Sequence, residues 1–246
     1  MLATANERDP VGGGVALLTV AVAIPTLNEA SSIGAVVRSI PRGLARQVIV
    51  ADGGSTDATA ALAEAAGAQV IAAGSGYGRA CWRATEAASD ADVMVFMDGD
   101  GADDPLGIAA LLAPIQAGAR DFVIGSRARG RREPGSMAWH QRAAGLIAGI
   151  AIRLLTGVRY TDMCAFRAIR RRALLDLGMR EMGYGWNIEM QMRAAQSGLR
   201  ILEIPVPYRC RSGGASKVAG SLRGTLRAGA RIISTFWRVA ARPATK

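Results

Sequence analysis

The chain has 246 residues, of which 50% are hydrophobic, 20% charged and 5% aromatic, with a formal charge of +10. Residues 1–126 hold 7 Arg and 14 acids, net −7, whereas residues 127–246 hold 23 basic and 6 acidic residues, net +17. Length and apolar content exclude a disordered chain and suit one large α/β domain; the basic half suits phosphate or anionic lipid, while the few aromatics and the lack of a zinc-finger or RRM signature argue against nucleic acid.

In chain order, Met1–Pro10 carries acids and no charged start followed by an apolar stretch, so no signal peptide is expected. Val11–Leu27 is uncharged, but its leading glycines and Pro25 predict a lead-in to a buried strand rather than a membrane span. Ala21–Ile24 reads as the first strand and runs into Pro25-Thr26-Leu27-Asn28-Glu29. Ser31 or Ser32 then caps a predicted helix over 33–40, closed by Pro41-Arg42-Gly43.

Gln47–Val50 is the second predicted strand, ending in Ala51-Asp52-Gly53-Gly54-Ser55-Thr56-Asp57 before an alanine-rich helix over 58–66. Gln69–Ala72 is the third strand, and Gly74-Ser75-Gly76-Tyr77-Gly78 opens a helix over 79–88. These glycines do not match the GxGxxG dinucleotide fingerprint, so no NAD site is expected. The fourth strand, Val93–Met97, ends in Asp98-Gly99-Asp100. Several apolar strands, each delivering acids to a following loop, predict parallel strands that bring those acids to one sheet edge, where α/β proteins bind ligands. An Asp-x-Asp pair offers hard oxygens to a hard cation such as Mg²⁺ or Mn²⁺.

A loop over 101–105, a helix over 106–117 and a strand over 121–125 follow, then a basic loop holding Arg127, Arg129, Arg131 and Arg132 that reads as mobile. Trp139–Leu155 predicts a helix that packs on the sheet or lies on a membrane surface; its apolar core, 143–152, is too short to span. Ser221–Arg242 predicts a basic amphipathic helix with Leu222, Leu226, Ile233 and Trp237 on one face and arginines beside it, a pattern of interfacial helices. Cys81, Cys164 and Cys210 form no CxxC pair, which suggests reduced thiols in a cytosolic setting.

The ordered set Pro25–Glu29, Asp52–Asp57, Asp98-Gly99-Asp100, Gly125-Ser126-Arg127 and Arg211–Lys217 resembles the family 2 glycosyltransferases of the GT-A type, in particular their dolichyl- or polyprenyl-phosphate branch, over about residues 19–218. The resemblance implies a Rossmann-like, mostly parallel sheet flanked by helices, with an N-terminal extension over 1–18, a catalytic domain over 19–218 and the basic helix over 219–246. It also implies inverting transfer of a hexose from a nucleoside diphosphate sugar to a lipid monophosphate, with Mg²⁺ or Mn²⁺ bridging the diphosphate.

By matching position, Pro25, Leu27, Glu29, Val50 and Asp52 would bind the donor, Asp98, Gly99 and Asp100 the nucleotide, and Asp98 and Asp100 the metal. Arg127, Arg211 and Lys217 would hold donor phosphate oxygens, with Asp100 and Arg127 as the catalytic pair. From their place in the loop, Arg129 and Arg131 are candidates for the acceptor phosphate.

Thr161–Arg167 resembles the family's Asp-x-x-Ser-Gly-Phe-Arg stretch with Cys164-Ala165 in place of Ser-Gly, and Trp186–Met190 resembles a segment preceding an acceptor-side helix. Ala102 stands where the family often has Gln or His, and Asp52-Gly53-Gly54-Ser55 where many members have Asp-Asp-Gly-Ser. A lipid phosphate is already an anionic nucleophile, so the single histidine, His140, need not be catalytic.

A lipid acceptor implies peripheral work at the cytoplasmic face of a membrane, with a separate anchor subunit as one means of attachment. Two alternatives share these features: transfer to a small phosphorylated acceptor such as 3-phosphoglycerate, and a non-catalytic basic module that binds RNA or membranes.

Overall fold

The computed structural model describes residues 18–213 and 222–241. Seven strands form one sheet: β1 (Val20–Thr26), β2 (Gln47–Asp52), β3 (Gln69–Ala72), β4 (Val93–Phe96), β5 (Phe122–Ser126), β6 (Arg167–Arg170) and β7 (Ile201–Pro205). Their order is β3-β2-β1-β4-β6-β5-β7, with every pairing parallel except those of β6, which runs antiparallel between β4 and β5. The mostly parallel sheet flanked by helices is the expected class.

The first four strands lie where their apolar runs predict, because strands covered on both faces need unbroken Val, Ile and Ala. In β1 and β4 this holds almost throughout: Ala21–Ile24 and Val93–Val95 are fully buried. The connecting helices are α1 (Ile33–Ser39), α2 (Thr59–Ala65), α3 (Tyr77–Ala87) and α4 (Ile108–Gln116), the last preceded by a 3-10 turn at Pro105–Gly107. Strands β1, β2 and β3 step outward in one direction, and the chain then returns across the sheet to β4. Crossovers of a single hand therefore put α3 on the face opposite α1 and α2; α3 packs on β1 and β2, while α1 packs on α2.

The second half was less legible. Besides β6 and β7 it contains α5 (Trp139–Thr156), α6 (Arg171–Asp176), α7 (Trp186–Gln196) and α8 (Leu222–Ala240). The segment Trp186–Met190, expected to precede a helix, is the beginning of α7 itself. Helix α7 lies against α3, α5 and α8.

Helix α8 is seated by one carboxylate. Glu181, fully buried, accepts hydrogen bonds from Arg231 Nε (2.8 Å), Thr235 Oγ1 (3.0 Å), Arg238 Nη2 (2.5 Å) and the Gly183 amide (2.9 Å). Two arginines of this basic helix, Arg231 and Arg238, thus reach from the surface to a buried carboxylate while staying partly exposed.

Candidate active site

The reversal of strand order falls between β1 and β4, the place where an open α/β sheet parts to admit a ligand. At that point the loops after β1, β2 and β4 are joined. Asn28, at φ 52°, turns the chain so that its amide donates to Ser55 Oγ (2.8 Å) while its Oδ1 accepts from the Thr56 amide (2.8 Å). The Glu29 amide donates to Thr59 Oγ1 and the Ala30 amide to Asp57 Oδ2. Ser32 Oγ donates to the Gly99 carbonyl (2.8 Å), which ties α1 to the Asp98–Asp100 turn. A Cβ on Gly99 would lie 2.8 Å from Thr26 Cγ2, so only glycine fits between the two acids.

Asp98 is half-buried and Asp100 buried. Asp100 Oδ1 accepts from the Ala102 amide (2.9 Å), and its Oδ2 lies 3.3 Å from Arg211 Nη2, which also reaches Glu29 Oε1 at 3.1 Å. A third carboxylate, Asp103, is buried and accepts from the Asp98 amide (3.1 Å). Burial, then the charges of Asp100 and Asp103, push the Asp98 carboxyl up to about 8. Burial likewise raises Asp103 to about 6. The loop sequence signalled Asp103 by its acidity, but not that it would support Asp98 from below.

Two buried acids with raised pKa values mark a place short of positive charge, and hard oxygens close together suit a divalent cation. Among the described residues no three acidic, His or Cys groups are arranged to enclose a metal. The donor set fits an ion held by Asp98 and Asp100 and completed by phosphate or water oxygens.

The basic residues take several stations. Arg127 forks onto Asp162, with Nε to Oδ2 and Nη2 to Oδ1 both at 2.8 Å, and its guanidinium sits 5.0 Å from the Tyr208 ring centre. Its Nη1 is left outside that fork. Arg129 Nη1 donates to the Glu203 carbonyl (2.8 Å), and Arg131 is exposed. Lys217 and the His140 side chain lie outside the described residues.

The basic loop expected to be mobile is bonded along its length. The Tyr208 amide donates to the Arg131 carbonyl, and the Glu133 amide to the Tyr208 carbonyl. Gly130 has no room for a Cβ against the Val206 carbonyl. The segment continues to the acids: the Arg209 amide donates to the Ala102 carbonyl and the Ser212 amide to the Asp100 carbonyl.

For the predicted donor residues, Leu27 is exposed, Pro25 half-buried and Glu29 buried beside Arg211. Asp52 is half-buried and accepts from the Ser55 amide and hydroxyl. Val50 lies fully buried in the sheet, paired with Ile24 and Val70, so only its backbone could face a ligand.

The sequence model of Glycosyl transferase family 2 matches residues 21–178, which span all of these acids and Arg127. The chain belongs to this family. A glycosyltransferase of Mycobacterium tuberculosis, itself described as uncharacterized, is 38% identical over 224 residues, covering 89% of this chain and 97% of that one. The polyprenol monophosphomannose synthase of Mycolicibacterium smegmatis is 30% identical over 219 residues, covering 81% of each chain. Among solved structures, glucosyl-3-phosphoglycerate synthase from M. tuberculosis, in complex with Mn²⁺, UDP-glucose and phosphoglyceric acid, superposes with a TM-score of 0.75 at 25% identity and covers 98% of this chain and 87% of that one. The mixed sheet matches the fold of this solved neighbour, and the protein is an enzyme of glycosyl transfer.

Proposed function

We propose that the protein is an inverting hexosyltransferase that moves a sugar from a nucleoside diphosphate to a polyprenyl or dolichyl monophosphate, with residues 19–218 as its catalytic unit. The observation that carries this reading is the grouping at the switch point of half-buried Asp98 with buried Asp100, the latter paired with Arg211. Departure of a nucleoside diphosphate gathers negative charge on the phosphates, and a bound Mg²⁺ or Mn²⁺ held by Asp98 and Asp100 would offset it, an effect on the order of several kcal/mol. Arg211 is stationed between Glu29 and Asp100, where that charge would collect.

On the acceptor side no general base is required, because a phosphate monoester is already anionic. The task is to hold it in line with the sugar carbon. Arg129, aligned by the Glu203 carbonyl, and exposed Arg131 would do this, while Arg127, aligned by Asp162, would hold donor phosphate oxygens. The lipid acceptor is supported by the likeness to the polyprenol monophosphomannose synthase over 81% of both chains. Such an acceptor sets the work at the cytoplasmic membrane face, by peripheral attachment or through an anchor subunit; no described helix is long and apolar enough to cross a membrane.

A second reading, transfer to 3-phosphoglycerate or a similar small phosphate, is favoured by the superposition on glucosyl-3-phosphoglycerate synthase. The non-catalytic module loses its ground with family membership. Calorimetric titration with GDP-mannose, UDP-glucose and UDP-N-acetylglucosamine, each with and without Mn²⁺, identifies the donor. Labelled sugar from that donor is then offered to polyprenyl phosphate and to 3-phosphoglycerate: label entering the organic phase supports the lipid reading, and label confined to the aqueous product overturns it.

A further inference from the structure

Helix α5 is seated with its small residues inward and its large apolar residues outward. Gly145 and Gly149 face the 160–162 segment; a Cβ on Gly149 would overlap the Tyr160 carbonyl, and Ala148 and Ile152 are buried beside them. On the opposite side Trp139 is 77% exposed, Ile147 66% and Leu154 82%, with Leu146 and Ile150 also more than half exposed. At 100° per residue, Trp139, Leu146 and Ile150 form the centre of one stripe, Ile147 and Leu154 its one border, and Arg142 and Arg153 the other.

A surface helix ordinarily buries its large apolar residues, and an exposed contiguous patch of this kind marks an interaction surface. The charge pattern selects its occupant. Helix α5 contains no acid, and Arg142 and Arg153 are exposed and not ion-paired among the described residues. A second copy meeting this stripe about a two-fold axis would set arginine borders against each other with no carboxylate from either α5 to offset them. An anionic bilayer offers apolar depth for the stripe, phosphates for the arginines and the interfacial level that Trp prefers.

We infer that the outer face of α5 docks the enzyme on an anionic lipid bilayer, with the helix lying in the membrane plane along its about 27 Å length. This deepens the lipid-acceptor reading by naming the surface that brings the enzyme to its substrate, and rests on that reading for its purpose. It also moves the main membrane contact from α8, where the sequence pointed, to α5, because Arg231 and Arg238 of α8 are held by Glu181.

The test uses the full chain and vesicles of phosphatidylcholine, with and without 30% phosphatidylglycerol by design, in a flotation assay. Wild type is expected to float with the anionic vesicles and at least tenfold less with the neutral ones. Ile147→Glu combined with Leu154→Glu, both at solvent-facing positions, should lower the floated fraction by tenfold or more while the circular dichroism spectrum and melting temperature stay as in wild type. Glycosyl transfer to a water-soluble, short-chain prenyl phosphate should be unchanged in that variant. Equal flotation of variant and wild type overturns the inference. So does a wild-type dimer in analytical ultracentrifugation that the double variant dissolves, with no flotation by either. Flotation that depends on α5, in an enzyme that glycosylates only 3-phosphoglycerate, would sink the lipid-acceptor reading and leave the docking surface standing.

Discussion

Asp162 takes three hydrogen bonds from Arg127, one from the amide at 2.9 Å and two from the guanidinium at 2.8 Å, so a single carboxylate fixes both the backbone and the side chain of that arginine. The pair joins the end of β5 to the segment before β6. Burial alone would raise the Asp162 carboxyl, but the hydrogen bonds and charge of Arg127 hold it below the ordinary carboxylate range.

From this follows a pH prediction. A carboxyl whose folded pKa is depressed contributes stability that is fully present above its unfolded value, near 3.8, and is lost as the pH falls through the lower folded value. The melting temperature should therefore fall below about pH 4. Asp162→Asn should lower the free energy of unfolding at pH 7 by about 3–5 kcal/mol, as for a buried pair that has lost one partner, and should flatten the acid dependence of the melting temperature. Denaturant unfolding at pH 7 and pH 3 measures both.

The acids of the β4 loop behave in the opposite sense. Because burial and its neighbours raise Asp98 to about 8, protons compete with a cation at pH 6.5 and much less at pH 8.5. Mn²⁺ should bind more tightly at the higher pH, by up to about tenfold per unit across the interval, and release protons in buffers of differing ionisation heat. An affinity that does not vary with pH would remove Asp98 from the metal site.

Replacing Asp100 by Asn should cut turnover by about 10²–10³-fold if the side chain helps to hold charge at the leaving group. The fold should persist, since the change relieves repulsion among Asp98, Asp100 and Asp103 while the Ser212 amide keeps its bond to the Asp100 carbonyl. Steady-state kinetics beside a thermal melt separates the two effects, and wild-type turnover in this variant would count against the assignment.

At the other end of the molecule, Glu181→Gln should release α8. The amide keeps one acceptor but loses its charge to Arg231 and Arg238, a cost of about 1–3 kcal/mol. Limited trypsin digestion should then cut at Arg231 and Arg238 faster, with residues 18–213 still protected.

These relationships also explain what could be read in advance. Strands β1, β2 and β4 announce themselves by their apolar runs, and acids fall where each of the three ends. Strand β6 is hidden by its composition: in Arg167-Ala168-Ile169-Arg170 the first residue is a buried arginine whose Nη atoms donate to the carbonyls of Cys164 and Asn187. Strand β7 carries Glu203 at its centre, which binds the Thr161 amide and hydroxyl. In α7 the buried residues include the polar Glu189 and Gln191, whose partners, the amides of Arg180 and Glu181 and the carbonyl of Asp162, come from outside the helix. The seating of Arg231 depends on a carboxylate 50 residues away, and no local pattern could carry that.

The segment 206–212 threads between the two halves of the site, hydrogen-bonded on one flank to the basic loop and on the other to the backbone of Ala102 and Asp100. The basic loop proposed for the acceptor phosphate and the carboxylates proposed for the donor therefore share a single seam. Lengthening the loop around Gly130 to admit a bulkier acceptor would pull on that seam, and its first symptom should be a change in affinity for the nucleotide.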